Sequence, residues 1–404
     1  MLTSVGVPID PEFEPQTPES ARPTMMCFSH LRWDFVFQRP QHLMSRFART
    51  MTVMFWEEPI DIGRRETAYL KVREVSDAPG VRVVVPHLPE GLSDTDRDAA
   101  LARLLEAVVA NLSGPLIAWY YTPMMLPFSR FIEPDAVVFD AMDELSKFKF
   151  APARLLELEQ ELIDRADIVF TGGTSLFEAK KSRHGNVHCF PSSVDQAHFM
   201  KARASSFEPA DQEDLPRPRL GFFGVIDERF DTDLLAEVAR MRPDWQFVMV
   251  GPVVKISETD LPQRNNIHYL GGKSYAELPR YLSGWDVALM PFAMNESTEF
   301  ISPTKTPEYL AGGRSVVSTP VRDVVRHYGH LKGVRIADDA ASFVAACEEL
   351  LALRESGDSD WLAEADLLLS ATSWDVTQAR MAQLVEQVLA ATEAVSPSML
   401  VAAE

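Results

Sequence analysis

The sequence predicts an α/β protein of two doubly wound, Rossmann-like domains facing each other across a cleft. Three observations carry this. Short apolar runs alternate with amphipathic helical stretches along the chain, the pattern of parallel sheets covered by helices on both faces. The alternation stops once, over residues 200–219, which are polar and rich in Ser, Glu, Asp and Pro, and then restarts. The length of 404 residues and 46% hydrophobic content supply enough apolar material for two cores.

In the first half, residues 25–30 (MMCFSH) read as a strand and 41–50 as a helix. TVMFWEEP and VRVVVPHLP are the next strands, and 94–112 is a helix with apolar residues at helical spacing. PLIAWYYTP and AVVFDAMDE are strands, 151–166 is an amphipathic helix, DIVFTGG is a strand, and NVHCFPSSVD closes the half. In the second half RLGFFGVID, DWQFVMVGPV, IHYLGG, DVALMPF and RSVVSTP read as strands. DLLAEVARMRP, SYAELPRYLSGW, TPEYLAGG and SFVAACEELLALRESG read as helices. A final helix at 374–394 follows the completed second half and is free to cross back. The expected division is a disordered acidic tail (1–22), a first domain (23–200), a linker (201–218), a second domain (219–372), the crossing helix (373–395) and a tail (396–404).

Composition excludes several classes. The formal charge of −20 argues against nucleic-acid binding and against whole-body attraction to anionic lipid. Cys27, Cys189 and Cys347 are odd in number and far apart, so reduced thiols are expected rather than disulfides or a zinc site. The first residues carry no basic-then-apolar signal pattern, and no apolar run approaches the ~18 residues of a membrane span. A cytoplasmic protein is expected, with peripheral contact at the inner face of the membrane left open.

Ligands of open α/β sheets bind beyond the carboxyl ends of the strands, so the polar residues just after each apolar run are the candidates. SPTKTPEYLAGG (302–313) is the first. Thr306 before Pro307 suits the N-cap and N1 positions of a helix. Ser302, Thr304 and Lys305 lie on the entering loop, and free amides at a helix start attract anions. Glu308 in the first turn is placed to accept hydrogen bonds from ribose hydroxyls. GFFGVIDERFD (221–231) is the second: a strand ends at Gly224, whose missing side chain admits a diphosphate, and Arg229 offers a cation.

These two segments, in this order, resemble the retaining family-four glycosyltransferases of the GT-B fold. Gly224 and Arg229 match the family's diphosphate strand. PEYLAGGRSVVST matches the run that follows the second Glu of its E-x7-E pattern, which makes Glu308 that Glu. Position 300, where the first Glu belongs, is Phe300; Glu296 and Glu299 are out of register. A subgroup with an SPxKxxEYLA run shares this departure and resembles teichuronic-acid and other surface-polysaccharide transferases. It also carries an RWDFVFQRPQHL-like start, present here at 32–43.

The resemblance implies transfer of a sugar from a UDP- or GDP-linked donor to a carbohydrate or lipid-linked acceptor, with retention and without a metal or other cofactor. It places the backbone of 267–282 against the base, with Gly272 and Lys273 as contacts. It sets the loop after the first strand (His30, Arg32, Trp33, Asp34) over the phosphates and beside the acceptor. Asp140, nearest in register to a His common at that strand end, borders the reaction centre with His30 and Asp143. For Gln41 and His42, helix capping and packing are favoured, as is packing for the glycine pair at 172–173. The alternatives are a sugar-nucleotide 2-epimerase, using Asp140 and Asp143 for proton transfer, and a non-catalytic nucleotide-sugar-binding protein.

Overall fold

A computed structural model of the chain describes residues 22–204 and 208–395. The expected tails at 1–21 and 396–404, and residues 205–207, lie outside the described residues.

The first domain is a nine-stranded sheet. Its strands are β1 (Thr24–Phe28), β2 (Thr52–Trp56), β3 (Ile60–Ile62), β4 (Tyr69–Glu74), β5 (Val81–Pro89), β6 (Leu116–Tyr120), β7 (Ala136–Ala141), β8 (Ile168–Thr171) and β9 (Val187–Cys189). The order is β3-β5-β2-β1-β6-β7-β8-β9, with β4 antiparallel to β5 and the rest parallel. The central strands are buried on both faces, TMMCF in β1 and LIAWY in β6 throughout, which is why they read as unbroken apolar runs. One apolar cluster lies on each face of this sheet.

The second domain is a six-stranded parallel sheet. Its strands are β10 (Arg219–Phe223), β11 (Gln246–Val250), β12 (Ile267–Tyr269), β13 (Val287–Met290), β14 (Val316–Ser318) and β15 (Val334–Ile336). The order β12-β11-β10-β13-β14-β15 runs outward in both directions from β10. The strand order therefore reverses between β10 and β13, and in the first sheet between β1 and β6. These are the points where such sheets bind ligands.

Differences from the sequence reading are local. The three-residue strands β3 and β15, the edge strand β4, and the helices Arg322–Tyr328 and Asp360–Leu369 were not anticipated. The segment expected as a linker is docked on the second domain over its described residues. Ala202 enters that domain's core. Gln212 is fully buried, accepting from Trp285 Nε1 at 2.9 Å and donating to the Tyr281 carbonyl at 3.0 Å. Arg203 pairs with Asp366, Asp211 with Lys273 and Arg217 with Asp286, so much of the segment's polarity is spent on fixed partners.

The helix Trp374–Val395 returns to the first domain. Trp374, Met381 and Val385 sit in that domain's core, and the Trp374 ring stacks on His42 at 4.7 Å. The two chain crossings lie side by side: Val194 N–H donates to the Thr372 carbonyl at 3.0 Å, and Ser193 Oγ meets Thr377 Oγ1 at 2.7 Å.

Candidate active site

Between the domains lies a cleft of about 870 Å³. Trp33, Asp34, Phe35, Val36 and Phe37 line it from the first domain; Gly224, Gly251, Gly272, Tyr275, Lys305 and Glu308 are among its lining from the second.

On the second-domain side, strand ends β10, β11 and β12 each run into a glycine. Gly224 has φ +148°, Gly251 +149° and Gly271 +70°. A Cβ on Gly251 would lie 1.7 Å from the Gly224 carbonyl oxygen, and one on Gly224 2.7 Å from Lys305 Cε. Glycine is therefore required at both positions, and bare backbone faces the cleft. The helix Lys305–Ala311 abuts this edge. Its Tyr309 hydroxyl accepts from Phe223 N–H at 2.9 Å and lies 3.3 Å from the Phe223 carbonyl, which ties the helix to the end of β10.

The helix starts earlier than the Thr306–Pro307 pair suggests. Thr304 is the N-cap, so Thr306 sits inside the first turn, fully buried, and does not cap. Lys305 Nζ bonds Thr304 Oγ1 at 3.1 Å, and burial lowers the Lys305 pKa. Burial pushes the Glu308 carboxyl up to about 7, against the opposing pull of Lys305. The Tyr275 hydroxyl is buried without a partner among the described residues. Its ring stacks on His198 at 4.2 Å and on Phe37 of the first domain at 4.7 Å.

On the first-domain side, Glu57 anchors the loop after β1. It accepts from Arg32 Nη1 at 2.9 Å and from Trp33 N–H at 2.8 Å, while Gln41 Nε2 donates to the Trp33 carbonyl at 2.9 Å. Gln41 and His42 are thus structural. Arg32 is occupied by Glu57, and Asp34, exposed at the mouth, pairs with Arg73. His30 is half-buried. Its Nδ1 has no partner among the described residues, and burial together with Lys255 lowers its pKa to about 4.

Several expected positions lie elsewhere. Asp140 does not border the cleft: it is fully buried and clasped by Arg39 through Nε at 3.0 Å and Nη2 at 2.8 Å. Arg39 also donates to the Phe190 carbonyl at 2.8 Å, so this pair braces the sheet from within. Ser302 meets the other domain: its Oγ accepts from Ser192 N–H at 3.4 Å and its carbonyl from Ser192 Oγ. The Lys273 ammonium turns outward to Asp211 at 2.7 Å, leaving its stem and Gly272 on the cleft wall. Arg229 is held by Asp227, Nη2 to Oδ2 at 2.7 Å, and lies 5.4 Å over the Phe148 ring of the first domain. Phe300 packs against the first domain's core, so its apolar side chain seals the domain contact instead of facing a sugar.

Asp143 is a first-domain acid whose charge couples to cations of the second domain. Burial raises its pKa to about 6, opposed by Arg229, Arg39 and Lys255. Gly251, Tyr275, Phe148 and Lys255 were missed by the sequence reading. Gly251 had a signal, since VMVG repeats the glycine-ended strand GFFG. The others acquire meaning only when the domains meet. Among the described residues no group of three or more His, Cys, Asp or Glu side chains is placed to hold a metal ion.

Two doubly wound domains with a glycine-edged cleft at their switch points define the GT-B architecture. Residues 217–353, which span most of the second domain, match the family model for Glycosyl transferases group 1. The chain is 27% identical over 270 residues to the putative teichuronic acid biosynthesis glycosyltransferase TuaH of Bacillus subtilis (strain 168). That alignment covers 60% of this chain and 65% of that protein, so the chain spans just under two thirds of this curated relative.

Among solved structures it is similar to a sucrose-phosphate synthase of Thermosynechococcus elongatus, with TM-score 0.65 and 16% identity over 92% of this chain and 100% of that one. It is also similar to an E. coli trehalose-6-phosphate protein bound with UDP-2-fluoro glucose, with TM-score 0.65 and 11% identity over 91% and 99%. Anabaena HepE in complex with UDP gives 0.61 and 12% over 91% and 100%. At these identities the likeness speaks for the fold.

Proposed function

We propose that this protein is a glycosyltransferase that moves a sugar from a nucleoside diphosphate sugar to a carbohydrate or lipid-linked acceptor, in surface-polysaccharide or glycoconjugate synthesis. Transfer proceeds with retention and without a metal, at the cytoplasmic side, with peripheral membrane contact where the acceptor is lipid-linked. The observation that carries this is the convergence of Gly224, Gly251, Lys305 and Glu308 on one cleft wall at the switch point of the second sheet. The group 1 match over 217–353 and the TuaH relative support it.

The bare backbone at Gly224 and Gly251 admits the diphosphate, and Lys305 meets its charge. As the sugar–phosphate bond breaks, negative charge grows on the leaving diphosphate. A preorganised ammonium and oriented amides stabilise it without reorganising. Glu308, ionised, accepts from the two ribose hydroxyls. In this reading the neutral His30 ring and the Asp143 carboxyl serve from the first domain, hydrogen-bonding sugar hydroxyls and orienting the acceptor. Domain closure excludes water and limits hydrolysis.

The test is calorimetric titration of UDP and GDP into the wild-type protein and Glu308→Ala. Binding of one nucleotide, weakened about tenfold or more by the substitution, is expected for loss of charged hydrogen bonds. Unchanged affinity would remove the ribose assignment. With labelled donors, release of nucleoside diphosphate together with a labelled acceptor separates a transferase from an epimerase, which interconverts sugars.

A further inference from the structure

Residues 147–156 read KFKFAPARLL, three cations and two aromatic rings with no acid, in a chain of net charge −20. The segment leads from the end of β7 into the helix Leu155–Arg165. Its two rings face different ways. Phe148 is half-buried and meets the second domain, with Arg229 at 5.4 Å and Lys255 at 4.8 Å over its ring. Phe150 is 85% exposed. Its φ is +65°, a region in which a bulky side chain is strained. The ring gains no packing in return, and strain without a structural reward clusters at functional positions.

The surroundings extend this surface. Leu156, on the first turn of the helix, is 60% exposed. Lys149 is exposed and makes no ion pair among the described residues, and Arg154 has only Asp98 at a loose 4.0 Å. Across the domain junction Lys147 meets Glu296 at 3.4 Å, and Met294, two residues away, is 53% exposed. Apolar side chains from both domains therefore stand among lysine and arginine, beside the contact made by Phe148. Single exposed apolar residues are ordinary, whereas a group of them ringed by charge marks an interaction surface.

We propose that residues 147–156, with Met294, form a docking surface for the anionic headgroups of a phospholipid bilayer. The inference deepens the reading of a lipid-linked acceptor and rests on it for its purpose. Cationic groups at headgroup level with aromatic and aliphatic side chains beneath them are the arrangement by which interfacial segments bind. The net charge of the chain does not oppose this at short range, since charges more than about 8 Å apart are largely screened at physiological salt. Phe148 ties the surface to the domain junction, so docking holds the cleft beside the bilayer that carries such an acceptor.

Flotation of the full chain with vesicles tests this. Vesicles of phosphatidylcholine with phosphatidylglycerol are compared with vesicles of phosphatidylcholine alone. Binding to the anionic vesicles is expected, and it falls as salt rises. Phe150→Ser lowers it about tenfold or more, for loss of one inserted ring. Lys149→Gln lowers it about fivefold. Both positions are exposed, so melting temperature and nucleotide affinity stay at their wild-type values. Phe131→Ser is the control. That ring is exposed at the other end of the helix, where the Arg130 carbonyl accepts from Arg165 Nη2, and its loss leaves binding unchanged. Absence of binding to the anionic vesicles, or equal losses from Phe131→Ser and Phe150→Ser, overturns the docking surface and leaves the nucleotide-sugar reading of the cleft standing. Docking that persists in a protein binding neither UDP nor GDP upholds the surface and overturns the cleft reading.

Discussion

Glu308 and Asp143 show what burial does to single carboxyls. Each has a pKa raised chiefly by desolvation, Glu308 to about 7 and Asp143 to about 6. A raised carboxyl pKa means the folded state holds the proton more tightly than the unfolded chain, so the associated stability is present at acid pH and lost as pH climbs through the folded value. Glu308→Gln is therefore expected to raise the stability of the empty protein at pH 8 by roughly 1–3 kcal/mol, with little change at pH 4. Thermal melts at the two pH values check this. The same variant loses nucleotide affinity, which would mark Glu308 as a residue kept for ligand at the expense of fold. For Asp143→Asn, the expected outcome is loss of the inflection near pH 6 from the kcat/KM profile. A profile identical to wild type would exclude Asp143 from the reaction centre.

At this scale the sequence was informative where chemistry and local geometry coincide. Gly224, Lys305 and Glu308 stood out because a glycine after an apolar run, and an acid inside a helix start, carry meaning alone. Asp140 misled, since a carboxylate at a strand end looks the same whether it faces a cleft or an arginine across the sheet. Phe300 was legible as a departure but not as a domain-sealing side chain, because its partners lie in the other domain.

At the scale of elements, the helix Thr174–Lys180 is capped from outside its own domain. Asp323, on the second-domain helix Arg322–Tyr328, accepts from Thr174 N–H at 2.7 Å, Ser175 N–H at 3.0 Å and Ser175 Oγ at 2.6 Å. His327, four residues on, meets Thr174 Oγ1 at 2.9 Å. A Cβ on Gly173 would stand 2.6 Å from Asp323 Oδ2 and 2.8 Å from Ser302 Cβ, so the glycine pair serves packing, as its sequence suggested. Asp323→Ala strands the buried Ser175 amide and the half-buried Thr174 amide and releases the clasp. It is expected to lower stability by about 1–3 kcal/mol and to increase the radius of gyration seen by small-angle scattering. An unchanged scattering curve would reduce Asp323 to a local cap. The apolar strands and long helices were readable from periodicity. The elements missed were those of three residues, those at a sheet edge, or helices such as Arg322–Tyr328, which bury few side chains of their own.

At the scale of the molecule, two adjacent crossings and one returning helix connect the halves. Trp374 is 1% exposed and lies flat on His42, at the point where the chain re-enters the first domain. Trp374→Ala is expected to cost about 3–5 kcal/mol, and to separate the melting of the first domain from that of the second in calorimetry. A single cooperative transition with a small shift would contradict this. The two-domain organisation was legible from the single interruption in β-α alternation. The docking of that interruption onto the second domain was not, because a polar segment bonded to Arg, Lys and Trp side chains has the same composition as a solvated one.

The returning helix has a consequence for the order of synthesis. Trp374, Met381 and Val385 complete a core whose other members all lie between Met25 and Phe190. When the first domain leaves the ribosome, one face of its sheet lacks that cover, and it stays so until nearly two hundred more residues have been made. The second domain contains its whole core within a continuous stretch from Val194 to Leu369 and has no such wait. The domain translated first is therefore expected to be finished last, leaving its bare apolar face to be shielded in the interval.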